Sequence, residues 1–164
     1  MILAIDPGDI LSAWIVYDND DKIPITFAKE ENDIVIGKLE KIREQTDSLV
    51  IEMIASYGMP VGRSVFETCV WIGKYWQAWE TLGGKVRLCY RQEVKSCLCH
   101  TMKAKDSNVR QAIMDRYGSS REVAIGKKKT PGPLYGISND VWAALGVAIT
   151  ASETTLKEDK EGIT

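Results

Sequence analysis

Short apolar runs dominate the first third of the chain. Ile2, Leu3, Ala4 and Ile5 form an unbroken run, the pattern of a central strand covered on both faces. Pro7 lacks an amide donor and Gly8 permits a turn, so this strand ends at Asp6. Leu11–Tyr17 predicts a second strand, the Asp18–Asp21 cluster a turn, and Ile23–Ala28 a third strand. Pro24 points to an edge position for the third. Three strands joined by short turns make an antiparallel meander. Asn32 or Asp33 then caps a helix to about Gln45, with Ile34, Val35, Leu39 and Ile42 mostly on one face. Ser48–Ala55 is a further buried strand. A helical crossover leads to it, so it pairs parallel to the first.

The second half reads as helices around one more strand. Tyr57–Gly62 is a loop, and Ser64-Val-Phe-Glu67 has the form of a capping box that opens a long helix to about Leu82. Phe66, Trp71, Tyr75, Trp76 and Trp79 spread around more than one face of that helix, more aromatic surface than one core absorbs. A partner surface is the expected use of the remainder. Lys85–Tyr90 is a fifth strand. Gln92–His100 and Asp106–Tyr117 are helices, the second capped by Asp106 or Ser107. Residues 119–133 read as a mobile basic loop, and a last helix starts near Ser138-Asn139-Asp140. The expected class is α/β: a five-stranded mixed sheet, three strands antiparallel and then two parallel, with helices on both faces. One domain is expected over 1–155, with a frayed tail at 156–164.

Composition narrows the class. The 164 residues are 45% hydrophobic, enough for one domain with a real core. No run approaches the ~20 apolar residues of a membrane span. The N-terminus enters a strand without a basic region or cleavage site, so a cytoplasmic protein without a leader is expected. Cys69, Cys89, Cys97 and Cys99 lack the two spaced ligand pairs of a zinc site and are expected as free thiols. His100 is the only histidine, so any mechanism needing a Ser/His or Cys/His pair would depend on it alone.

The net charge of −2 hides a strong asymmetry. Residues 1–84 carry 7 basic and 14 acidic side chains, whereas residues 85–129 carry 12 and 4. A basic middle on an acidic body suits a phosphate-facing surface. Within it Lys95, Lys103, Lys105, Arg110, Lys127, Lys128 and Lys129 are the expected phosphate contacts.

Three carboxylates stand in unusual places. Asp6 ends the first buried strand, Glu52 interrupts an apolar run on its expected neighbour, and Asp140 lies in the first turn of the last helix. Two acids inside a sheet repel unless a cation lies between them. Oxygen-only ligands select hard ions such as Mg²⁺ or Mn²⁺. Such a cluster suits two-metal hydrolysis of a phosphodiester.

The order of elements resembles the RNase H-like fold, and the sequence resembles the RuvC-type Holliday-junction resolvases within it, with a phage-encoded branch expected. The resemblance runs through Ile5-Asp6-Pro7-Gly8, Val50-Ile51-Glu52, Arg91-Gln-Glu-Val-Lys95, Ala104-Lys105-Asp-Ser-Asn-Val109 and Ala144-Leu-Gly-Val-Ala-Ile-Thr150. It implies a homodimer that binds four-way DNA junctions and nicks two strands symmetrically with Mg²⁺ or Mn²⁺. Asp6, Glu52 and Asp140 would be the catalytic metal ligands, and Lys95 and Lys105 would face DNA. No small-molecule cofactor is implied. The family shows a further metal-binding position three residues after the one at Asp140, where this chain has Ala143; Asn139 or water would fill the gap. Tyr57 is a stacking candidate by position alone. The long helix from Ser64 is the expected dimer interface. A ribonuclease H-like activity on RNA–DNA hybrid and a non-catalytic junction-binding scaffold are the alternatives. An actin-like phosphotransferase would need a second comparable domain, for which the chain is too short.

Overall fold

The apolar runs become the strands of one mixed sheet. The computed structural model describes residues 1–46, 48–56, 58 and 60–161, with side chains to residue 154. β1 (Ile2–Asp6), β2 (Leu11–Asp18) and β3 (Ile23–Glu31) form the antiparallel meander. After α1 (Asn32–Arg43), β4 (Ser48–Met53) pairs parallel to β1, and after α2 (Arg63–Thr81), β5 (Lys85–Tyr90) pairs parallel to β4. The order is β3-β2-β1-β4-β5, with β3 at the edge as Pro24 required. This is the strand order and direction of an RNase H-like fold.

Alternation along the strands sorts side chains to two cores. Leu3, Ile5, Trp14, Leu49 and Ile51 pack with Val35 and Leu39 of α1 and with Ile72, Tyr75 and Trp79 of α2. Ala4, Ala13, Ile15, Val50 and Cys89 pack on the other face. There they meet α3 (Arg91–Cys99), α4 (Asp106–Tyr117), the short α5 (Arg121–Ala124) and α6 (Val141–Glu161). All four cysteines are free thiols. Among the described residues no helix is long and apolar enough to cross a membrane.

Four local expectations are corrected. Ser64 does not cap α2: the helix starts one residue earlier, after Gly62, and Glu67 instead pairs with Arg63 at 2.7 Å. Asn32 is the first residue of α1, but its side chain turns inward to a buried hydrogen-bond network. Asp106 opens α4, with Lys105 before it, and its carboxylate is taken by Arg91. Residues 119–133 are built rather than loose. They form α5 and a hairpin of β6 (Gly126–Lys127) and β7 (Thr130–Pro131), with exposed Lys128 and Lys129 at the tip. Gly126 has φ +72° and a Cβ there would lie 2.3 Å from the Thr130 carbonyl oxygen, so only glycine closes this hairpin. The expected frayed tail, 156–164, lies outside the residues whose side chains are described.

Candidate active site

Strand parity explains why the acids meet. Asp6 follows Ala4 by two positions and Glu52 follows Val50 by two, so both carboxylates leave the sheet on the face covered by α6. Ile5 pairs with Ile51, which makes Asp6 and Glu52 neighbours at the C-terminal ends of adjacent parallel strands. Asp140 immediately precedes α6, one residue outside the first turn expected for it. Its carbonyl oxygen accepts from the amides of Ala143 and Ala144, and Asn139 before it holds φ +47°. The three acids line one cleft of about 680 Å³ with Arg91, Asp106, Arg110, Asn139, Trp142 and Ala143.

The electrostatics are those of a site short of positive charge. Burial, then Glu52, then Asp140 push the Asp6 carboxyl up to about 7. Burial also raises Glu52, against the pull of Arg91. The Glu52 side chain is 13% exposed, and its Oε2 has no hydrogen-bond donor among the described residues. Two cations partly answer this charge. Lys29 on β3 reaches Asp140 at 2.5 Å, and Arg91 lies 3.7 Å from Glu52 and 2.8 Å from Asp106. Lys29 pairs with Ala13, which pairs with Asp6, so one cross-strand row carries the lysine to the acids.

A second, buried network holds the turn after Asp6. The Gly8 amide donates to Ser12 Oγ at 3.3 Å, and Asn32 Nδ2 donates to the Gly8 carbonyl at 3.0 Å. Ser12 Oγ donates to Asn32 Oδ1 at 2.7 Å. The Tyr75 hydroxyl from α2 lies 3.0 Å from Ser12 Oγ and 3.1 Å from Asn32 Oδ1. Ser12, Asn32 and Tyr75 are at most 2% exposed, so water does not substitute for any of them. Gly8 itself is constrained: a Cβ there would sit 2.3 Å from the Leu11 carbonyl oxygen. Gly8→Ala is therefore expected to cost about 1–3 kcal/mol and to displace Asp6. Thermal unfolding checks the first effect, and a crystal structure of the variant the second.

The structure brings together Asp6, Glu52 and Asp140, but not as a closed ligand set. Among the described residues no three His, Cys, Asp or Glu side chains stand close enough to hold a metal ion, and Asp140 is paired with Lys29. Asp6 and Glu52 do suit a hard cation: they are desolvated oxygen donors, and one buried Glu52 oxygen lacks a partner. Arg110 lines the cleft with its guanidinium 4.6 Å from the Trp142 ring centroid. Lys95 lies beside the cleft, 3.9 Å from Asp106. Lys103, Lys105, Lys127, Lys128 and Lys129 are exposed and do not line it. Tyr57 lies outside the described residues. The sequence assigns Arg91 and Lys29 no role in the site, and Asp106 only that of a helix cap. The available signals were parity on β3 for Lys29 and the step from β5 straight into α3 for Arg91.

No family model and no curated protein matches this chain. Solved structures do. RuvC of Thermus thermophilus matches with a TM-score of 0.66 at 14% identity, over 95% of this chain and 96% of that one. The same protein in complex with Holliday junction substrate matches with a TM-score of 0.70 at 13% identity, over 95% of each chain. The chain has a RuvC-like, RNase H-like fold along nearly its whole length.

Proposed function

We propose that this protein is a divalent-metal-dependent, structure-selective endodeoxyribonuclease that resolves four-way DNA junctions by paired symmetric nicks. One observation carries the reading: two buried carboxylates on adjacent strand ends, and a third at the head of α6, face a single cleft in a RuvC-like fold. Buried like charges in such a place call for a cation.

Asp6 and Glu52 would hold Mg²⁺ or Mn²⁺, joined by Asp140 when Lys29 releases it. Ala143 adds no further donor. When bound, divalent ions supply charge neutralisation at the phosphate, an activated water and a stabilised leaving oxygen. The reaction adds a water oxygen to phosphorus, breaks one phosphorus–oxygen ester bond and returns a proton to the departing sugar oxygen. The chain's own part is rigid placement. β1 and β4 fix the two carboxylates, and the Ser12–Asn32–Tyr75 network fixes the turn behind Asp6. Lys95, Lys103, Lys105, Arg110, Lys127, Lys128 and Lys129 are the proposed phosphate contacts, binding DNA without reading its sequence and losing affinity steeply with salt.

Paired nicks require two sites, and α2 is the proposed dimer surface. Tyr75 and Trp79 are fully buried, yet Phe66 and Val70 on the same helix remain 61% and 59% exposed. A Phe66→Asp/Val70→Asp double substitution is expected to weaken the dimer by about 30-fold or more. Sedimentation would then show monomer, and a four-way junction would receive unpaired nicks.

The deciding assay offers labelled immobile four-way junction, replication fork and RNA–DNA hybrid together, with Mg²⁺ or Mn²⁺. Symmetric nicks on the junction are expected. Preference for the hybrid would give the ribonuclease H-like alternative, and tight binding without cutting would give the scaffold.

A further inference from the structure

Arg91 is the first residue of α3 and follows directly on Tyr90, the last of β5. Tyr90 pairs with Met53, so Arg91 emerges beside Glu52 at the open end of the sheet. Its two terminal nitrogens are treated differently. Nη2 donates to Asp106 Oδ1 at 2.8 Å, a full charge-assisted hydrogen bond. Nη1 lies 3.7 Å from Glu52 Oε1, within Coulombic attraction but too far for a hydrogen bond. Among the described residues, buried Nη1 has no hydrogen-bond acceptor and buried Glu52 Oε2 has no donor. A purely structural pair at this depth would close both bonds, because each open group carries a desolvation cost. Here neither bond is closed, and the Arg91 side chain, 25% exposed, lines the cleft. The other cation on that lining, Arg110, is exposed and rests on Trp142.

We propose that Arg91 receives the phosphodiester to be cut: its guanidinium, part of the cleft lining, donates to a non-bridging phosphate oxygen, while Asp106 is the positioning residue that holds one arm of it. The inference rests on the nuclease reading above. A cleft lined by Asp6, Glu52, Asp106 and Asp140 repels DNA, and a tethered guanidinium is an anion receptor that reaches its floor. Guanidinium suits the task better than ammonium, since its planar fork binds a carboxylate and a phosphate at once. Negative charge on the non-bridging oxygens is also what a preorganised donor stabilises during displacement at phosphorus.

The test compares Arg91→Ala, Arg91→Lys and Asp106→Asn on a four-way junction. A second junction carries an uncharged methylphosphonate at the cleaved position. At saturating junction, Arg91→Ala is expected to cut about 10²–10³-fold more slowly. Arg91→Lys keeps the charge but loses the fork, and should cut at least about tenfold more slowly. Asp106→Asn should slow the unsubstituted chain and add nothing to Arg91→Ala, because it acts through the guanidinium. Binding without divalent ions gives a readout independent of cutting. The preference for phosphate over methylphosphonate should fall about tenfold in Arg91→Ala. Wild-type cutting rates in Arg91→Lys, or an unchanged phosphate preference in Arg91→Ala, would overturn the assignment. If the unsubstituted chain cuts no junction, the nuclease reading falls, and the binding preference still decides whether Arg91 meets the phosphate.

Discussion

Asp6→Asn is expected to cut a four-way junction at least about 10³-fold more slowly than the unsubstituted chain, and to bind it as well or better. The loss follows from removing a charged oxygen donor at the tip of the central strand. The retained binding follows from removing negative charge where DNA must approach. The same substitution should stabilise the metal-free protein at alkaline pH. Asp6 ordinarily titrates near 3.8, and in the fold it is pushed up to about 7, mainly by burial. Between those values the folded chain holds a proton that the unfolded chain has released, so stability falls as pH rises across the window. Above the window the ionised carboxylate costs on the order of 4 kcal/mol, a cost that asparagine does not carry. Thermal unfolding in EDTA from pH 4 to 8 should therefore show a shallower fall for Asp6→Asn, with a higher Tm at pH 8. An unchanged pH profile together with undiminished cutting would remove Asp6 from the site.

The second large effect is at Asn32. Asn32→Ala strips the donor to the Gly8 carbonyl and the acceptor for Ser12 Oγ in a pocket that water does not reach. Two buried groups lose partners, at about 1–3 kcal/mol each, so a total of about 2–6 kcal/mol is expected. Denaturant unfolding would measure it. Tyr75→Phe removes one donor whose partners still have each other, and should cost about 1 kcal/mol. Both should also lower the cutting rate, since the Gly8 turn fixes the strand end that carries Asp6. Equal stability losses in the two variants would contradict the network as described.

The strands were legible because their apolar runs are short, continuous and punctuated by Pro7, Gly8 and the Asp18–Asp21 turn. Parity then carries Asp6 and Glu52 to one face without further assumption. Other features depend on distant partners and leave little local trace. Asn32 has the residue type of a cap, yet Gly8 and Ser12 outcompete the helix end for its amide. Ser64 and Glu67 have the spacing of a capping box, yet Arg63 begins the helix and takes the glutamate. The basic segment at 119–133 has a loop's composition, but the close approach at Gly126 and the fully buried Leu134 give it form. Lys29 and Arg91 sit in ordinary strand and helix patterns. Only the assembled sheet shows that they stand between acids.

The account depends on divalent ions binding at the acids of this cleft. Anomalous diffraction from crystals of the protein grown with Mn²⁺ measures that directly. The expected result is a manganese peak in contact with the carboxylates of Asp6 and Glu52, with Asp140 turned from Lys29 toward it. Manganese bound elsewhere, or none at these carboxylates at concentrations that support cleavage, would contradict it.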